Sequence, residues 1–498
     1  VFLNFPLPRE CSVNVLASAR KAIYTFEGKI LKGRRMIATS HKPLRYLFVD
    51  FNSYFASVEQ QVQPHLRGKP VAVAPLMSDS TCAIAASYEA KAFGVGTGTP
   101  IRDAKRMCPG LVIVPARHEV YVEYHHKLLE EIDLHIPIHK VWSVDEMACK
   151  LDKTEQTPEA ARNLAHRIKK GITERVGECL RSSIGVAPSS LLAKICTDLH
   201  KPDGLVVLRD EDLPGPLLKL KLTDLPGIGG RMAARLARSG VLTVETLWNL
   251  APKQARAIWG SVGGERFWYS LHGFDVPDLP ANKSVIGHSR VLDPRSRRPR
   301  EARLVARTLA LKAAYRLRHC GLAAGGFFLA GDKWESGWAS QARFSPTQDS
   351  FEILRWLDAL WPGLVRSAGR NPQFRHVQIG LFDLVEMKAR QPDLFIRADE
   401  ALTPAGRSER LWDVFDTVNA HYGGEMLTLA SQLGGEQLHY AGAKIAFNRV
   451  PHQSEFQQTV LQDAEARKAA LRLALALKPR RSVGWGKTTA APQSVAST

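Results

Sequence analysis

Leu47-Phe48-Val49-Asp50-Phe51-Asn52-Ser53-Tyr54-Phe55 is an apolar, β-prone run that carries one carboxylate near its middle. Later in the chain, Val141-Trp142-Ser143-Val144-Asp145-Glu146 again sets acids at the end of a β-prone run, this time an adjacent pair. A lone carboxylate buried beside a strand is costly, so such groups are usually paired, hydrogen-bonded or metal-bound. Asp50, Asp145 and Glu146 together make a hard-oxygen set suited to Mg²⁺, which favours carboxylates plus substrate phosphates.

Around these motifs the pattern is mixed. Tyr46 to Asp50 reads as a buried strand, followed by a helix from Ser53 to Gln61 with Tyr54, Phe55 and Val58 at helical spacing. Val71 to Ala74 and Val112 to Val114 read as strands, and 83–93 starts extended and becomes helical up to Gly94. Helices are expected over 121–134 and 158–176, and the acids Asp145 and Glu146 are expected near the turn of a hairpin. A strand at 183–186 precedes a helix through Leu191, Leu192 and Ile195. This order implies a sheet with helices on one face. From Gly204 to Phe274 the chain reads as helical with glycine turns, and 285–388 returns to α/β, with helices at 300–318 and 351–364 and strands at 326–330 and 376–381.

The chain has 498 residues, enough for several domains, and a formal charge of +19 with a pI of about 9.7. That balance favours a polyanionic partner, most simply nucleic acid, over a merely soluble basic protein. No run of about 20 apolar residues is present to span a membrane. The seven cysteines are scattered without a Cys-x-x-Cys pair, which suggests neither zinc nor a disulfide framework and fits the cytoplasm. Residues 1–43 form an N-terminal extension, in which Met36 is taken as the natural start, with a transit peptide as the weaker alternative.

The run Val49 to Glu59 and Ser143-Val144-Asp145-Glu146 together resemble the palm motifs of the Y-family, or translesion, DNA polymerases. The resemblance extends from about Leu44 to Phe395 and comes nearest to the bacterial DNA polymerase IV branch. It implies a right-hand architecture of mixed α/β and α+β domains: palm (44–53 and 115–201), fingers (54–114), helical thumb (202–274), linker (275–284) and α/β little finger (285–388). It implies that Asp50, Asp145 and Glu146, with the carbonyl of Phe51, bind two Mg²⁺ ions, about 4 Å apart in two-metal chemistry. The expected activity is extension of primer-template DNA from dNTPs by a monomer, error-prone and tolerant of damage.

Other residues take roles from the same resemblance. Phe55 is either a core aromatic or the steric gate under the sugar, which excludes a 2′-hydroxyl. Tyr88, Lys91 and Lys194 would meet the triphosphate. Lys91 stands where polymerase IV relatives usually carry Arg, which keeps the charge but loses the bidentate fork. Leu225-Pro226-Gly227-Ile228-Gly229-Gly230-Arg231 looks like a helix-hairpin-helix turn, with Gly227 and Gly229 allowing a phosphate close to the backbone and Arg231 beside them. Arg295, Arg297, Arg298, Arg300 and Arg303 are either phosphate contacts or a solvated basic loop. Gln391-Pro392-Asp393-Leu394-Phe395 resembles the peptide that docks on the sliding clamp, through Gln391, Leu394 and Phe395. No role is read for 398–477, and 478–498 is expected to be disordered. Two alternative readings stand beside polymerase: a non-catalytic DNA- and clamp-binding recruiter, and a palm-domain nucleotide cyclase.

Overall fold

A computed structural model describes residues 41–389 except 76, 80, 279–283, 333–336 and 371, together with 404–421, 427 and 429. The expectations for the start of the chain, for Gln391–Phe395 and for 431–498 fall outside the described residues.

The first unit runs β1 (Tyr46–Phe51), α1 (Tyr54–Val62), β2 (Val71–Ala74), β3 (Ala85–Ala86), α2 (Tyr88–Lys91), α3 (Ile101–Met107), β4 (Val112–Pro115), α4 (His118–Asp133), β5 (Ile138–Val141), β6 (Glu146–Lys150), α5 (Pro158–Gly171), β7 (Ser182–Ala187), α6 (Ser190–Leu199) and β8 (Leu205–Val207). Its main sheet has the order β5-β6-β1-β7-β8, and a small sheet has the order β3-β2-β4. Central β1 is buried along its whole length. Side chains alternate across a strand. Leu47, Val49 and Phe51 accordingly pack into one core with α4 and α5, while Tyr46 and Phe48 join a second core with α6. Helices therefore cover both faces of the sheet, not one. This is why β1 reads as a continuous apolar run and not as an alternating one.

Strand β8 corrects a second expectation. The stretch after Lys201-Pro202-Asp203-Gly204, read as the start of the helical region, first adds a strand parallel to β7. The helical unit follows as α7 (Gly230–Arg238), α8 (Val244–Trp248), α9 (Pro252–Trp259) and α10 (Val262–Leu271). Its buried leucines, Leu222, Leu236, Leu247 and Leu271 among them, continue the core beneath α6.

The last unit contains β9 (Val285–Val291), α11 (Pro299–His319), β10 (Leu322–Asp332), β11 (Gly337–Thr347), α12 (Ser350–Ser367) and β12 (His376–Glu386). Its antiparallel sheet is ordered β11-β10-β12-β9, and α11 and α12 share one core with it. β9 and β11 are edge strands that sequence reading missed, because half-exposed edges carry little apolar signal. On the face away from the helices, Phe382 lies over Gly326 and Phe328 over Gly380, where a Cβ would meet the rings at 2.4 and 2.1 Å. A further helix, α13 (Pro404–His421), docks where α11 ends and α12 begins, in the region that carried no assigned role. Trp412, 2% exposed, donates its indole N–H to Asp349 at 3.1 Å, and Asp416 accepts from Arg318 at 2.6 and 3.0 Å.

Gly185 on β7 decides how closely α6 lies on the sheet. A Cβ there would stand 2.1 Å from the backbone oxygen of Ala193 and 2.7 Å from Cys196 Cβ. Gly185→Ala should cost about 1–3 kcal/mol or more by forcing α6 off β7. Chemical denaturation checks this, and unchanged stability would show that the helix can shift freely.

Candidate active site

The antiparallel register sets Asp50 opposite Glu146 across β1 and β6. Asp145 precedes β6 in the hairpin turn, and its carbonyl accepts the Phe51 N–H at 2.9 Å. Neutral His125 on α4, its pKa lowered to about 4 by burial, donates from Nδ1 to the carbonyl of Val144 at 2.8 Å and pins that turn. Asn52, 2% exposed, fixes the other side of the turn out of β1: it donates to Ser183 Oγ at 3.0 Å and accepts the Asp203 N–H at 2.8 Å. Ser53 then takes the left-handed conformation, with φ of 50°, to start α1 sharply.

Lysines from α6 and the turn after it meet the acids. Lys194 donates to Asp50 and reaches Glu146 at 2.9 Å and Asp198 at 3.5 Å. Lys201 reaches Asp50 at 3.0 Å and Asp198 at 2.7 Å. Burial alone would lower both pKa values, but Asp50 with Glu146 and Asp198 holds Lys194 above the ordinary range, and Asp50 with Asp198 does the same for Lys201. Lys91 lies 4.5 Å over the Tyr88 ring, and its amine is pushed down by burial and then by the charge of Lys201. Burial raises the Tyr88 phenol. Tyr88, Lys91, Lys194 and Lys201 thus gather around Asp50.

The third carboxylate is placed differently from the expectation of a closed trio. Asp145 accepts from Ser143 Oγ at 2.6 Å, and among the described residues no three acid, histidine or cysteine side chains are gathered tightly enough to hold one ion. A carboxylate removed from water takes the nearest donor. The charge distribution nevertheless fits a divalent cation. Burial first, then the charges of Glu146 and Asp50, push the Asp145 pKa up to about 6 against the lowering effect of the Ser143 hydrogen bond, and carboxylate oxygens of this kind are the donors a hard divalent cation takes.

Phe55 is 5% exposed and stacks on Tyr121, with ring centroids 4.4 Å apart and planes at 16°. It is part of the palm core. Gly227 has φ of 91°, and added Cβ atoms at Gly229 and Gly230 would meet nothing within 4 Å, so the start of α7 is open to a backbone-sized ligand beside exposed Arg231. In the last unit the basic run divides. Arg297, half-buried, donates to the Leu292 carbonyl at 3.2 Å; Arg303 donates to Asp358 at 3.1 Å but is exposed, as are Arg295, Arg298 and Arg300. Arg297 and Arg303 thus each make one contact within the domain, while the run as a whole keeps cationic side chains at the surface.

The chain matches the impB/mucB/samB family over residues 49–198 and that family's C-terminal domain over 283–394. The DNA polymerase IV of Moorella thermoacetica is 31% identical over 412 residues, spanning 80% of this chain and 98% of that one. The chain belongs to the Y-family of DNA polymerases. DNA polymerase IV 1 of Bacillus subtilis is 28% identical over 420 residues, spanning 82% of this chain and 97% of that one. A solved Y-family DNA polymerase chimera of Dbh and Dpo4 superposes with a TM-score of 0.57 at 22% identity, over 69% of this chain and 99% of that one, and shares the fold. The unit around β1 is thus the palm with its fingers, the helical unit is the thumb, and the last sheet is the little finger.

Sequence reading of this Y-family chain missed Ser143, Asn52, His125 and Asp198. Only Asp198 carried a signal, its position four residues after Lys194 on one helix face. Because the Asp145 pKa is raised on folding, this group lowers stability as pH climbs from about 4 through about 6 and contributes a constant penalty above. Asp145→Asn should therefore raise the melting temperature of the metal-free protein at pH 7.5 by roughly 2–4 °C and give no gain near pH 4. Equal effects at both pH values would remove the basis for this reading of the site.

Proposed function

We propose that this Y-family chain extends a DNA primer on a template from dNTPs by two-metal phosphoryl transfer, releasing pyrophosphate, with low fidelity and tolerance of damaged templates. The observation that carries the reading is the pairing of Asp50 with Glu146 at the open end of a doubly covered sheet, beneath Lys194 and Lys201 and beside Tyr88 and Lys91. Asp50, Asp145 and Glu146, with the Phe51 carbonyl, would hold two Mg²⁺ ions. Bound there, the metals would lower the pKa of the attacking hydroxyl and neutralise the leaving phosphates.

The remaining work falls to the protein. Positioning and charge neutralisation dominate phosphoryl transfer. Lys194 and Lys201 exchange carboxylate partners for phosphate oxygens, Tyr88 donates its hydroxyl to phosphate, and Lys91 adds a point charge without the geometric fork of Arg. Phe55 lies under the sugar. The thumb turn at Gly227, Gly229 and Arg231, with exposed Arg298 of the little finger and its neighbours, grips the duplex through phosphates, which positions DNA without reading its sequence. Among the described residues no helix is long and apolar enough to cross a membrane. We place the protein in the cytoplasm as a monomer. Gln391, Leu394 and Phe395 would engage the sliding clamp, an apolar pair filling a pocket beside a polar rim contact.

In a primer-extension assay with Mg²⁺, the wild-type protein should add nucleotides, and Asp145→Ala should lose about a thousandfold in rate while still binding DNA. DNA binding without extension by the wild-type protein would favour the recruiter, and template-independent conversion of nucleotides would favour the cyclase.

Leu394→Ala combined with Phe395→Ala should abolish capture by immobilised sliding clamp and leave primer extension without clamp intact. Retained capture would discredit the peptide.

A further inference from the structure

Glu59 is a charged side chain with no exposed surface in the palm core, one helical turn after Phe55 on α1. Four donor contacts surround it. Arg117, just before α4, donates from Nε to Oε1 at 3.1 Å and from Nη2 to Oε2. Tyr121 donates its hydroxyl to Oε1 at 2.7 Å, and Gln63 donates to Oε2 at 2.6 Å. Both carboxylate oxygens are committed, so the group is held in one orientation.

Tyr121 is fixed at two points. Its hydroxyl is tied to Glu59, and its backbone carbonyl accepts the Tyr54 hydroxyl at 2.6 Å. Its ring, fully buried, lies nearly parallel to Phe55 at 4.4 Å. His118 closes the edge of both rings, with centroids 6.4 Å from Phe55 and 5.9 Å from Tyr121. Phe55 therefore cannot tilt unless Tyr121 moves, and Tyr121 cannot move without breaking its bond to a buried charge. An apolar group in place of such an ion pair is often neutral or stabilising. A fixed ring orientation is what the charge adds here.

We infer that Glu59 and Arg117 are positioning residues for sugar selection: through Tyr121 they hold the Phe55 ring where a 2′-hydroxyl of the incoming nucleotide would collide with it. The inference rests on the reading of Phe55 as the residue under the sugar. Sub-ångström placement of a contact surface is enough to change rates strongly. A gate held by stacking alone would yield to the extra oxygen.

The test compares kcat/KM for a dNTP and its matching rNTP in single-nucleotide primer extension by the full-length protein. Tyr121→Phe keeps the stacked ring and removes only the hydroxyl, and Glu59→Gln keeps the shape and removes the charge. Each should lower the dNTP-to-rNTP preference about fivefold, the worth of one hydrogen bond, mainly through a lower KM for the ribonucleotide. The control is Glu131→Gln. Glu131, 4% exposed on α4 with Tyr121, accepts from Arg175 at 2.6 Å and bonds His135 at 2.8 Å, away from Phe55. It should lose comparable stability without changing the preference. Phe55→Ala separates the two levels of the argument. If it relaxes sugar selection while Tyr121→Phe and Glu59→Gln do not, the positioning role is overturned and the gate stands. If Phe55→Ala has no effect, the gate reading itself falls. An equal shift in Glu131→Gln would reduce the effect to general destabilisation and also overturn the inference.

Discussion

The balance of charge at the open end of β1 governs this molecule. Asp50 is 5% exposed at the edge of a strand whose two faces are both covered, and the β6 register places Glu146 directly across from it. Two carboxylates in that setting repel each other and lose hydration, and neither is tolerable without cations nearby. Lys194 and Lys201 supply them, and Asp198 in turn supports both lysines. Gly185 makes the arrangement possible by letting α6 approach the sheet, and Asn52 closes the turn out of β1. This end of the palm is thus an electrostatic assembly that the fold brings together. Asp145 is pushed up to about 6, by burial first and then by the charges of Glu146 and Asp50.

The same logic runs through another buried charge of the palm, Glu59. Glu59 lies within the core, and its partners Arg117 and Tyr121 link it to the Phe55 ring. A charge in a core costs stability unless its partners are complete, and a complete set of partners has only one geometry. Such a network fixes the orientation of its members, here a tyrosine against which the candidate sugar-sensing ring rests.

The little finger shows how a domain of modest sequence signal is held. Glycines 326 and 380 leave space for Phe382 and Phe328 to lie flat on the sheet, replacing missing side chains with aromatic area. Beyond the part matched by the family, α13 returns to the helix layer, where Arg318 bonds Asp416 and lies 5.2 Å from the Trp412 ring. The C-terminal part of the chain therefore includes a structural strap on the little finger.

The sequence by itself determined the elements with strong, local signals. The apolar run ending at Asp50, the hairpin carrying Asp145 and Glu146, the helix bearing Lys194 and the glycine turn before α7 were all legible, because each is set by side-chain periodicity and turn chemistry within a few residues. Tertiary structure alone decided what depends on approach between distant segments. That Lys201 would pair with Asp50, that Asp145 would turn to Ser143, that β8 would join the palm sheet and that Arg303 would reach Asp358 are outcomes of packing. The edge strands β9 and β11 escaped for the complementary reason: a strand open to solvent on one side has no need of the apolar pattern by which strands are read. Charge pairing and burial are properties of the assembled fold, and no window of sequence contains them.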